Sequence, residues 1–314
     1  MSNLTHRALS ATFRLVNMMT IEQVSSVGAV VGRVLGAFSK RNSRALANLS
    51  MAMPDTTAAE RKVILRKMWE NFGRTVAETL VAERIAADPA RVLITNPEVF
   101  DGCCSDGRGA VFVGMHFGNY EMSCVAALRC GQSPVGVFKP LKNSAVNDWL
   151  LSQRRQLWPG GILPASRSAL RHLTRTVRDG GSIGLLVDHR DSTGPSVPFF
   201  GRPAPSVVLP ARLAVRYGAD VFAARVDRLP KAHFAITLQR ISVADSGDAA
   251  ADEFNTTAAI QATLETWIKS DPGGWLWFYK RWSATDALQS RARANVAPRH
   301  SRVSERDLMP ATAA

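Results

Sequence analysis

The sequence predicts an α/β fold in which an N-terminal helical segment is followed by a mixed β-sheet flanked by helices. Up to about residue 88, apolar side chains recur at helical spacing, whereas after Pro89 short apolar runs alternate with helical stretches. Alternation of this kind is typical of a sheet with helices on its faces. With 314 residues, 46% of them hydrophobic and 21% charged, the chain has ample apolar material for such a core.

The first apolar segment, residues 13–38, is interrupted by two arginines, a glutamate and a glutamine. A helix that crosses a membrane needs roughly 20 mostly apolar residues with few charges, and no small-residue cleavage site marks a signal peptide. Two interpretations stay open. The helix can lie in the membrane interface, with Lys40, Arg41 and Arg44 against anionic head groups, or it can be an amphipathic helix packed on the body of the protein.

The rest of the N-terminal segment predicts helices that are broken at "MPDTTAAE", residues 53–60. Pro54 ends one helix there, and Asp55, Thr56 or Thr57 can cap the next. Beyond the break, Arg and Lys side chains line the face opposite the apolar residues, which favours a solvated basic face. We assign residues 1–88 to an N-terminal helical, membrane-associating segment.

Residues 89–287 are predicted to form the α/β domain. The predicted strands span residues 92–94, 110–115, 134–138, 182–187, 221–226 and 233–240. The predicted helices span residues 120–129, 145–156, 168–179, 210–217 and 251–270. A Leu-Pro-Lys turn joins the last two strands, which predicts an antiparallel hairpin and therefore a mixed sheet. Ligands of such sheets bind beyond the carboxyl ends of the strands.

The chain is strongly basic, with a formal net charge of +13 and a pI of about 10.3. Part of this charge lies in residues 288–314, which are rich in Ala, Arg and Ser, lack an apolar face and are predicted to be a disordered basic tail. The field of such a chain favours anionic partners: nucleic acid, an anionic membrane surface, an acidic carrier protein or a phosphorylated substrate.

The four cysteines lie within residues 103–130, and their spacing fits no usual zinc site or disulfide framework. His116 has no second histidine at i+4. We therefore expect no metal, and we expect reduced thiols in a cytosolic compartment.

His116 and Glu121 lie in "GMHFGNYE", residues 114–121, directly after an apolar strand. His116 comes at the carboxyl end of the strand, Asn119 can cap the following helix, and Glu121 falls in its first turn. In that geometry a carboxylate can hold one ring nitrogen protonated and leave the other free to accept a proton. The other interpretation is a satisfied polar turn, because a lone His-x4-Glu pattern is a weak motif.

A second buried strand ends in Asp188, His189, Arg190 and Asp191. Two strands that end in polar clusters predict one shared cleft beyond the sheet. Two phenylalanines in the following "PSVPFFGRPA" can form the floor of that cleft or can simply belong to the core.

Lys139 and Lys142 follow a third strand, and lysines at such a strand end suit a phosphate or a carboxylate, although a solvated turn has the same pattern. The block "GWLWFYKRW", residues 274–282, combines aromatic and basic side chains. It suits a membrane interface, a phosphate-bearing ligand or single-stranded nucleic acid, or a C-terminal strand packed on the sheet.

Taken in order, these blocks resemble the lysophospholipid acyltransferase superfamily, and most closely its lipid A secondary acyltransferase branch, the lauroyl and myristoyl transferases. "HFGNYE" resembles the His-x4-Asp/Glu motif, "GVFKPLKN" the second block, "GLLVDHRDSTGPSVPFFGRPA" the third and "GWLWFYKRW" the terminal block. The upstream "WENFGRTVAE" resembles the N-terminal helices, so the likeness runs from about Arg41 to Trp282. Lys139 departs from the pattern, since arginine is usual there and a lysine does not bind an anion bidentately.

The resemblance implies a glycerolipid acyltransferase-like fold and the transfer of a fatty acyl chain from a thioester of acyl carrier protein or coenzyme A to a hydroxyl of a lipid A precursor. His116 is then the general base, Glu121 the carboxylate that orients it, and Asp188 a second acid in the cleft. The implied substrate-binding residues are Lys139, Asn119, Arg190 and Lys142. No cofactor is implied beyond the thioester co-substrate.

The same resemblance implies a place on the cytoplasmic face of the inner membrane, peripheral or N-terminally anchored. The expected partners are the acidic acyl carrier protein or a coenzyme A thioester, an anionic glycolipid acceptor and the membrane surface. An acidic carrier and a phosphorylated acceptor both suit a chain of charge +13.

Other functions stay open at this point. An acyltransferase that acts on another glycolipid or on a lysophospholipid would carry the same blocks. A basic nucleic-acid-binding protein would explain the charge but not the polar residues at successive strand ends, and we expect no nucleic-acid partner. An esterase or thioesterase would need a nucleophile elbow such as Gly-x-Ser-x-Gly, and we identify none.

Overall fold

The computed structural model describes residues 15–282, apart from 102, 104–106, 142 and 156. Its α-helices are α1 (Ile21–Ala37), α2 (Asn42–Ala52), α3 (Ala58–Thr79), α4 (Ala82–Ala87), α5 (Ser123–Arg129), α6 (Ser144–Arg154), α7 (Arg167–Arg178), α8 (Leu209–Tyr217) and α9 (Ala249–Ser270). Its strands are β1 (Val92–Ile94), β2 (Ala110–Gly114), β3 (Val135–Phe138), β4 (Ile162–Pro164), β5 (Ser182–Leu186), β6 (Ser196–Phe199), β7 (Arg202–Pro205), β8 (Asp220–Leu229) and β9 (His233–Ile241). The tail predicted for residues 288–314 lies outside the described residues.

Seven strands form one mixed sheet in the order β1-β9-β8-β2-β5-β3-β4, and β6 and β7 form a separate antiparallel pair. β2 lies between β5 and β8 and is parallel to both. β8 and β9 are antiparallel over their whole length, which confirms the predicted hairpin. The α/β class, with a helical N-terminal segment and a mixed sheet, is therefore confirmed.

Three short strands, β4, β6 and β7, are missing from the sequence prediction. Each has three or four residues and contains at least one proline. Proline donates no ladder hydrogen bond and so removes the usual strand signal. The sequence pattern therefore favours loops where the structure forms edge strands.

Two apolar cores lie on the two faces of the sheet. Along β2, Val111 and Val113 belong to one core, whereas Ala110 and Phe112 belong to the other, as the alternation of side chains along a strand requires. The first core is closed by α2, α3, α7, α8, α9 and the aromatic block at 275–282. The second is closed by α1, α4 and α5.

The predicted break between two N-terminal helices is confirmed. α2 ends at Ala52 and α3 begins at Ala58. The side chain of Thr57 accepts a hydrogen bond from the Glu60 backbone N–H at 3.2 Å, and the Glu60 carboxylate accepts one from the Thr57 backbone N–H at 2.6 Å. This reciprocal capping box makes Thr57 the cap among the three candidates.

α1 packs on α3 at a separation that only glycine allows. A Cβ at Gly28 would lie 2.5 Å from the carbonyl oxygen of Gly73, and a Cβ at Gly73 would lie 2.6 Å from the Cα of Gly32. α1 also exposes large apolar side chains to solvent, among them Val30 and Val34, together with the side chain of Arg33. Within the described part of the chain, no helix combines the length and apolarity needed to cross a bilayer.

Candidate active site

The candidate site forms where β2 and β5 end side by side. Gly114 of β2 is in register with Leu186 of β5, so His116 and Asp188 each lie two residues beyond this pair. His116 Nδ1 lies 2.9 Å from Asp188 Oδ1, and the His116 backbone N–H donates to Asp188 Oδ2 at 3.0 Å. The cleft predicted from the two strand ends is thus present, and His116 and Asp188, which follow the two strands, are in direct contact there.

Asp188 is held as a carboxylate. It is 1% exposed, and its Oδ2 also accepts a hydrogen bond from the indole N–H of Trp275 at 2.8 Å. Burial raises the pKa of Asp188, but the charge of His116 and the hydrogen bonds from His116 and Trp275 outweigh it and hold that pKa well below its usual range. Because an ionised Asp188 accepts from Nδ1–H, Nε2 is the ring nitrogen that can take up a proton.

Two tyrosines flank the imidazole. The ring centroid of His116 lies 4.5 Å from that of Tyr279 and 5.0 Å from that of Tyr120. Burial, together with the charge of Asp188, raises the pKa of Tyr279 to about 12. Burial, together with the charge of Glu121, raises the pKa of Tyr120 as well. Both phenols therefore stay neutral at physiological pH and keep a proton to donate.

Glu121 does not orient His116, and the prediction of that pairing was wrong. Its carboxylate lies against Arg154 of α6, with Arg154 Nε 2.9 Å from Oε2 and a second, shorter hydrogen bond from the same guanidinium to Oε1. The physical reason is local. A 3-10 turn, Tyr120–Met122, precedes α5, and Glu121 within it meets a guanidinium fork that binds both of its oxygens. Asp188 meanwhile occupies Nδ1 of His116.

Asn119, predicted to bind substrate, is fully buried instead. Its Nδ2 donates to Glu78 Oε2 at 2.8 Å, and its Oδ1 accepts from the Glu121 backbone N–H at 3.2 Å. Glu78 of α3 is itself fully buried and is paired with Arg228 of β8. Both ends of the Asn119 side chain are therefore engaged in fixing the turn, which corrects the predicted role.

The turn after His116 is fastened to α3 at a second point. The carbonyl oxygen of Gly118 accepts from Asn71 Nδ2 at 3.0 Å and from Thr75 Oγ1 at 2.9 Å. Gly118 has a φ of 55°, in the left-handed region that favours glycine. Hydrogen bonds from α3 thus hold rigid the loop that carries His116, as a preorganised site requires.

The predicted anion-binding residues fall at different places. Lys139 is exposed directly after β3, the neighbour of β5. Arg190 is partly buried two residues after Asp188, and its Nε is buried with no hydrogen-bond partner among the described residues. Lys142 lies outside the described residues. The structure brings neither Lys139 nor Arg190 into a hydrogen bond or ion pair with His116 or Asp188 in the part of the chain it describes.

Three residues of the site were not singled out by sequence reasoning. Arg154, which pairs with Glu121, lies at the end of a helix where a basic residue usually means a solvated face. Trp275 and Tyr279, which contact Asp188 and His116, belong to the aromatic block "GWLWFYKRW". The pattern of that block predicts a ligand-binding surface or a strand. Because the block is far from His116 in the sequence, the pattern does not indicate that Tyr279 contacts His116 or that Trp275 contacts Asp188.

The two cations of that block have different environments. Lys280 is exposed, whereas Arg281 is fully buried and donates to Pro205 O and Ser206 Oγ, each at 2.8 Å. Its guanidinium lies 4.5 Å from the Phe199 ring centroid. Burial lowers the pKa of Arg281 to about 10. Arg281 therefore ties the block to the β6–β7 pair.

The described residues also bear on a nucleophile elbow and on a metal site. Residues 180–184, "GGSIG", match the Gly-x-Ser-x-Gly spacing, which corrects the expectation that the sequence lacks this pattern. Ser182, however, is buried at the start of β5, the opposite end of that strand from Asp188. A nucleophile elbow instead follows a strand. In the described part of the chain, His, Cys, Asp and Glu side chains form no group of three that could hold a metal ion.

The arrangement suits removal of a proton from a hydroxyl. A histidine at a strand end has a buried carboxylate on Nδ1, two neutral phenols beside its ring and 16% exposure of its side chain. These are the elements of a general base whose protonated form is stabilised by a fixed charge.

Comparison with known proteins identifies a family. A family model described as bacterial lipid A biosynthesis acyltransferase matches residues 5–284. The chain is 22% identical over 259 residues to lipid A biosynthesis acyltransferase 2 of Shigella flexneri, covering 80% of this chain and 81% of that protein. It is 26% identical over 182 residues to the lipid A biosynthesis lauroyltransferase of Escherichia coli (strain K12), covering 56% and 57% respectively.

Proposed function

The chain belongs to the bacterial lipid A biosynthesis acyltransferase family, and we propose that it moves a fatty acyl chain from an acyl thioester to a hydroxyl of a lipid A precursor, with His116 as the general base. The observation that carries the proposal is the hydrogen bond from His116 Nδ1 to the buried Asp188, which leaves Nε2 as the basic nitrogen. The family match supports acyl transfer to lipid A as the class of reaction.

The proposed chemistry needs one base and no covalent acyl-enzyme. His116 Nε2 takes the proton of the acceptor hydroxyl as its oxygen attacks the thioester carbonyl. The tetrahedral intermediate then collapses, the C–S bond breaks, and the imidazolium returns the proton to the thiolate. Asp188 stabilises the imidazolium throughout. The neutral phenol of Tyr279 is a candidate hydrogen-bond donor to the oxyanion.

Glu121 acts in this proposal as a positioning residue. Its ion pair with Arg154 ties the turn after His116 to α6. A buried carboxylate without that partner would carry a large desolvation cost, so loss of either residue would displace the turn. Glu121 thus supports the base through the backbone and not through the imidazole.

The remaining substrate contacts are proposed for cations near the strand ends. Lys139, Lys142 and Arg190 are assigned to anionic groups of the donor or the acceptor. The donor is the thioester of an acidic acyl carrier protein or of coenzyme A, and either anion suits the net charge of +13. The E. coli relative is named a lauroyltransferase, so a lauroyl thioester is the first donor to test.

We also propose that the protein lies on the cytoplasmic face of the inner membrane as a peripheral protein. The exposed apolar face of α1 supports this, because Val30, Val34 and Phe38 are 51%, 53% and 85% exposed. A contiguous apolar surface on a soluble chain marks an interaction site. Lys40, Arg41 and Arg44 follow α1 and suit anionic head groups.

The test uses purified protein, a lauroyl thioester of acyl carrier protein and a phosphorylated lipid A precursor, with the product mass read by mass spectrometry. We expect a gain of one acyl chain in the wild type and in His172→Ala, an exposed histidine on α7, and no gain in His116→Ala. Full transfer by His116→Ala would overturn the assignment of the base. Absence of transfer by the wild type across several thioesters would overturn the assignment of a lipid A precursor as the acceptor.

A further inference from the structure

A groove of about 650 Å³ runs between α1 and α3. Its walls are almost wholly apolar and include Val27, Val31 and Leu35 of α1 and Phe72 and Val76 of α3. The volume lies within the usual range of small-molecule sites, roughly 300 to 1,000 Å³. The groove therefore has the size and the lining of a site for an extended apolar group.

The glycines of the two helices shape this groove. Gly28, Gly32 and Gly36 of α1 and Gly73 of α3 line it, and because they have no side chains the two helices can pack closely at its base. The valines on either side then form walls above a floor of backbone. The groove is open along its length and borders the exposed face of α1 that carries Val30 and Val34.

One end of the groove reaches the wall of the candidate active site. Trp69 lines that end and stacks on Phe278 at a ring-centroid distance of 5.0 Å. Phe278 contacts Tyr279 at 5.0 Å, and Tyr279 contacts His116 at 4.5 Å. Three ring contacts thus connect the groove to the proposed base.

A cation stands at the same end. Arg41 lines the groove, its side chain is exposed, and its guanidinium carbon lies 5.1 Å from the Phe278 ring centroid. An exposed guanidinium beside an apolar groove matches the two parts of an anionic lipid, a charged head and a hydrocarbon chain. The guanidinium of Arg41 and the apolar groove together therefore favour an anionic lipid as the occupant.

We propose that this groove receives an acyl chain of the lipid acceptor and that Arg41 binds an anionic group of the same lipid. The inference rests on the proposed function, since it assigns the acceptor of that reaction to a site. An acyl chain anchored here and a head group held at Arg41 would limit where the acceptor hydroxyl can lie, which favours its approach to His116. The open side of the groove would let the chain enter directly from a membrane surface.

The test compares two valines of α3 with nearly equal exposure. Val76, 50% exposed, lines the groove, whereas Val63, 46% exposed, does not. We expect Val76→Trp to fill the groove and raise the KM for the lipid acceptor about tenfold or more, with kcat and vesicle binding unchanged. Val63→Trp should match the wild type in all three.

A second pair of variants tests the cation. Arg41→Gln should raise the KM for a phosphorylated acceptor about tenfold, because a charge-assisted hydrogen bond is lost, and should leave the KM for the dephosphorylated acceptor unchanged. Arg66→Gln makes the same change at an exposed arginine of α3 that does not line the groove, and it is the matched control. Equal effects of the two variants would contradict a specific role for Arg41.

A photoactivatable acceptor analogue, with a diazirine at the end of its acyl chain, gives a readout that needs no turnover. Labelling of α1 and α3 peptides that is lost in Val76→Trp supports the inference, even if the wild type transfers nothing and the proposed function fails. Labelling elsewhere, an unchanged KM in Val76→Trp, or equal loss of vesicle binding in both tryptophan variants would overturn it. The last result would make the groove part of a general membrane contact.

Discussion

At the scale of single residues, the site depends on which carboxylate meets His116. Sequence spacing favours Glu121, because five residues across a strand-to-helix turn allow contact. Asp188 is 72 residues away along the chain and meets the ring only because β2 and β5 are neighbours in the sheet. Sequence reasoning predicts the shared cleft but ranks its two acids wrongly, since the correct ranking depends on a 3-10 turn and on Arg154.

Replacement of Asp188 should affect catalysis far more than stability of the active-site turn. We expect Asp188→Asn to lower kcat by about 10²- to 10⁴-fold, because the amide no longer stabilises the imidazolium and favours the wrong tautomer. Asp191→Asn makes the same chemical change three residues later, in a loop where Asp191 bonds to Thr193, and should stay within a few fold of the wild type. Comparable losses in the two variants would contradict the assignment.

The raised pKa of Tyr279 predicts how the free energy of unfolding changes at alkaline pH. The pKa of Tyr279 is raised by burial to about 12, above the ordinary value of about 10, so its contribution to stability is complete below pH about 10 and is lost as the pH rises through 12. Urea unfolding at a series of pH values should show a steeper loss of unfolding free energy between these limits for the wild type than for Tyr279→Phe. Parallel curves for the two proteins would show that burial does not hold the phenol neutral.

At the scale of secondary-structure elements, the sequence predicts most of the fold and little of its packing. Periodicity finds the long helices and the apolar strands, and the Leu-Pro-Lys turn finds the β8–β9 hairpin. It misses the proline-containing β4, β6 and β7, because their pairing depends on partners and not on local propensity. It also gives no sign that Glu78 of α3 and Arg228 of β8 would fix the turn at Asn119.

Because α1 and α3 pack closely at Gly73, we expect alanine at this position to lower the free energy of unfolding, the reverse of its usual effect in a helix. Gly→Ala inside a helix normally stabilises by about 1 kcal/mol. At Gly73 the added Cβ would meet the backbone of α1, so we expect Gly73→Ala to destabilise the protein by about 1–3 kcal/mol, measured by urea unfolding. A gain in unfolding free energy would mean that the two helices are not packed as described.

At the scale of the whole molecule, basic side chains are exposed both beside the valines of α1, at Lys40, Arg41 and Arg44, and on the other face of the sheet. The exposed valines of α1 lie on the helix layer that covers one face of the sheet, whereas α7, with exposed arginines at 167, 171, 175 and 178, covers the other. Sequence composition predicts a positive field but cannot say where it lies. This arrangement would leave α7 free for water-soluble anionic partners while α1 and the cations that follow it contact a membrane.

The proposed membrane contact predicts a position-dependent effect of an added charge. Val34→Asp on α1 should lower affinity for anionic lipid vesicles about tenfold, because the carboxylate must leave water. Ser168→Asp on α7 changes the net charge equally at an exposed residue and should have a small effect that disappears with added salt. Vesicle sedimentation measures both, and equal losses would show that only net charge attracts the protein to the surface.

The central claim is that Asp188, and not Glu121, holds the proton on Nδ1 of His116. The most direct test is ¹⁵N NMR of histidine-labelled protein, with the His116 signals assigned by their absence in His116→Ala. We predict that the neutral form of the His116 ring carries its proton on Nδ1 in the wild type, a tautomer that Glu121→Gln retains and Asp188→Asn loses. A tautomer that changes in Glu121→Gln but persists in Asp188→Asn would contradict the account.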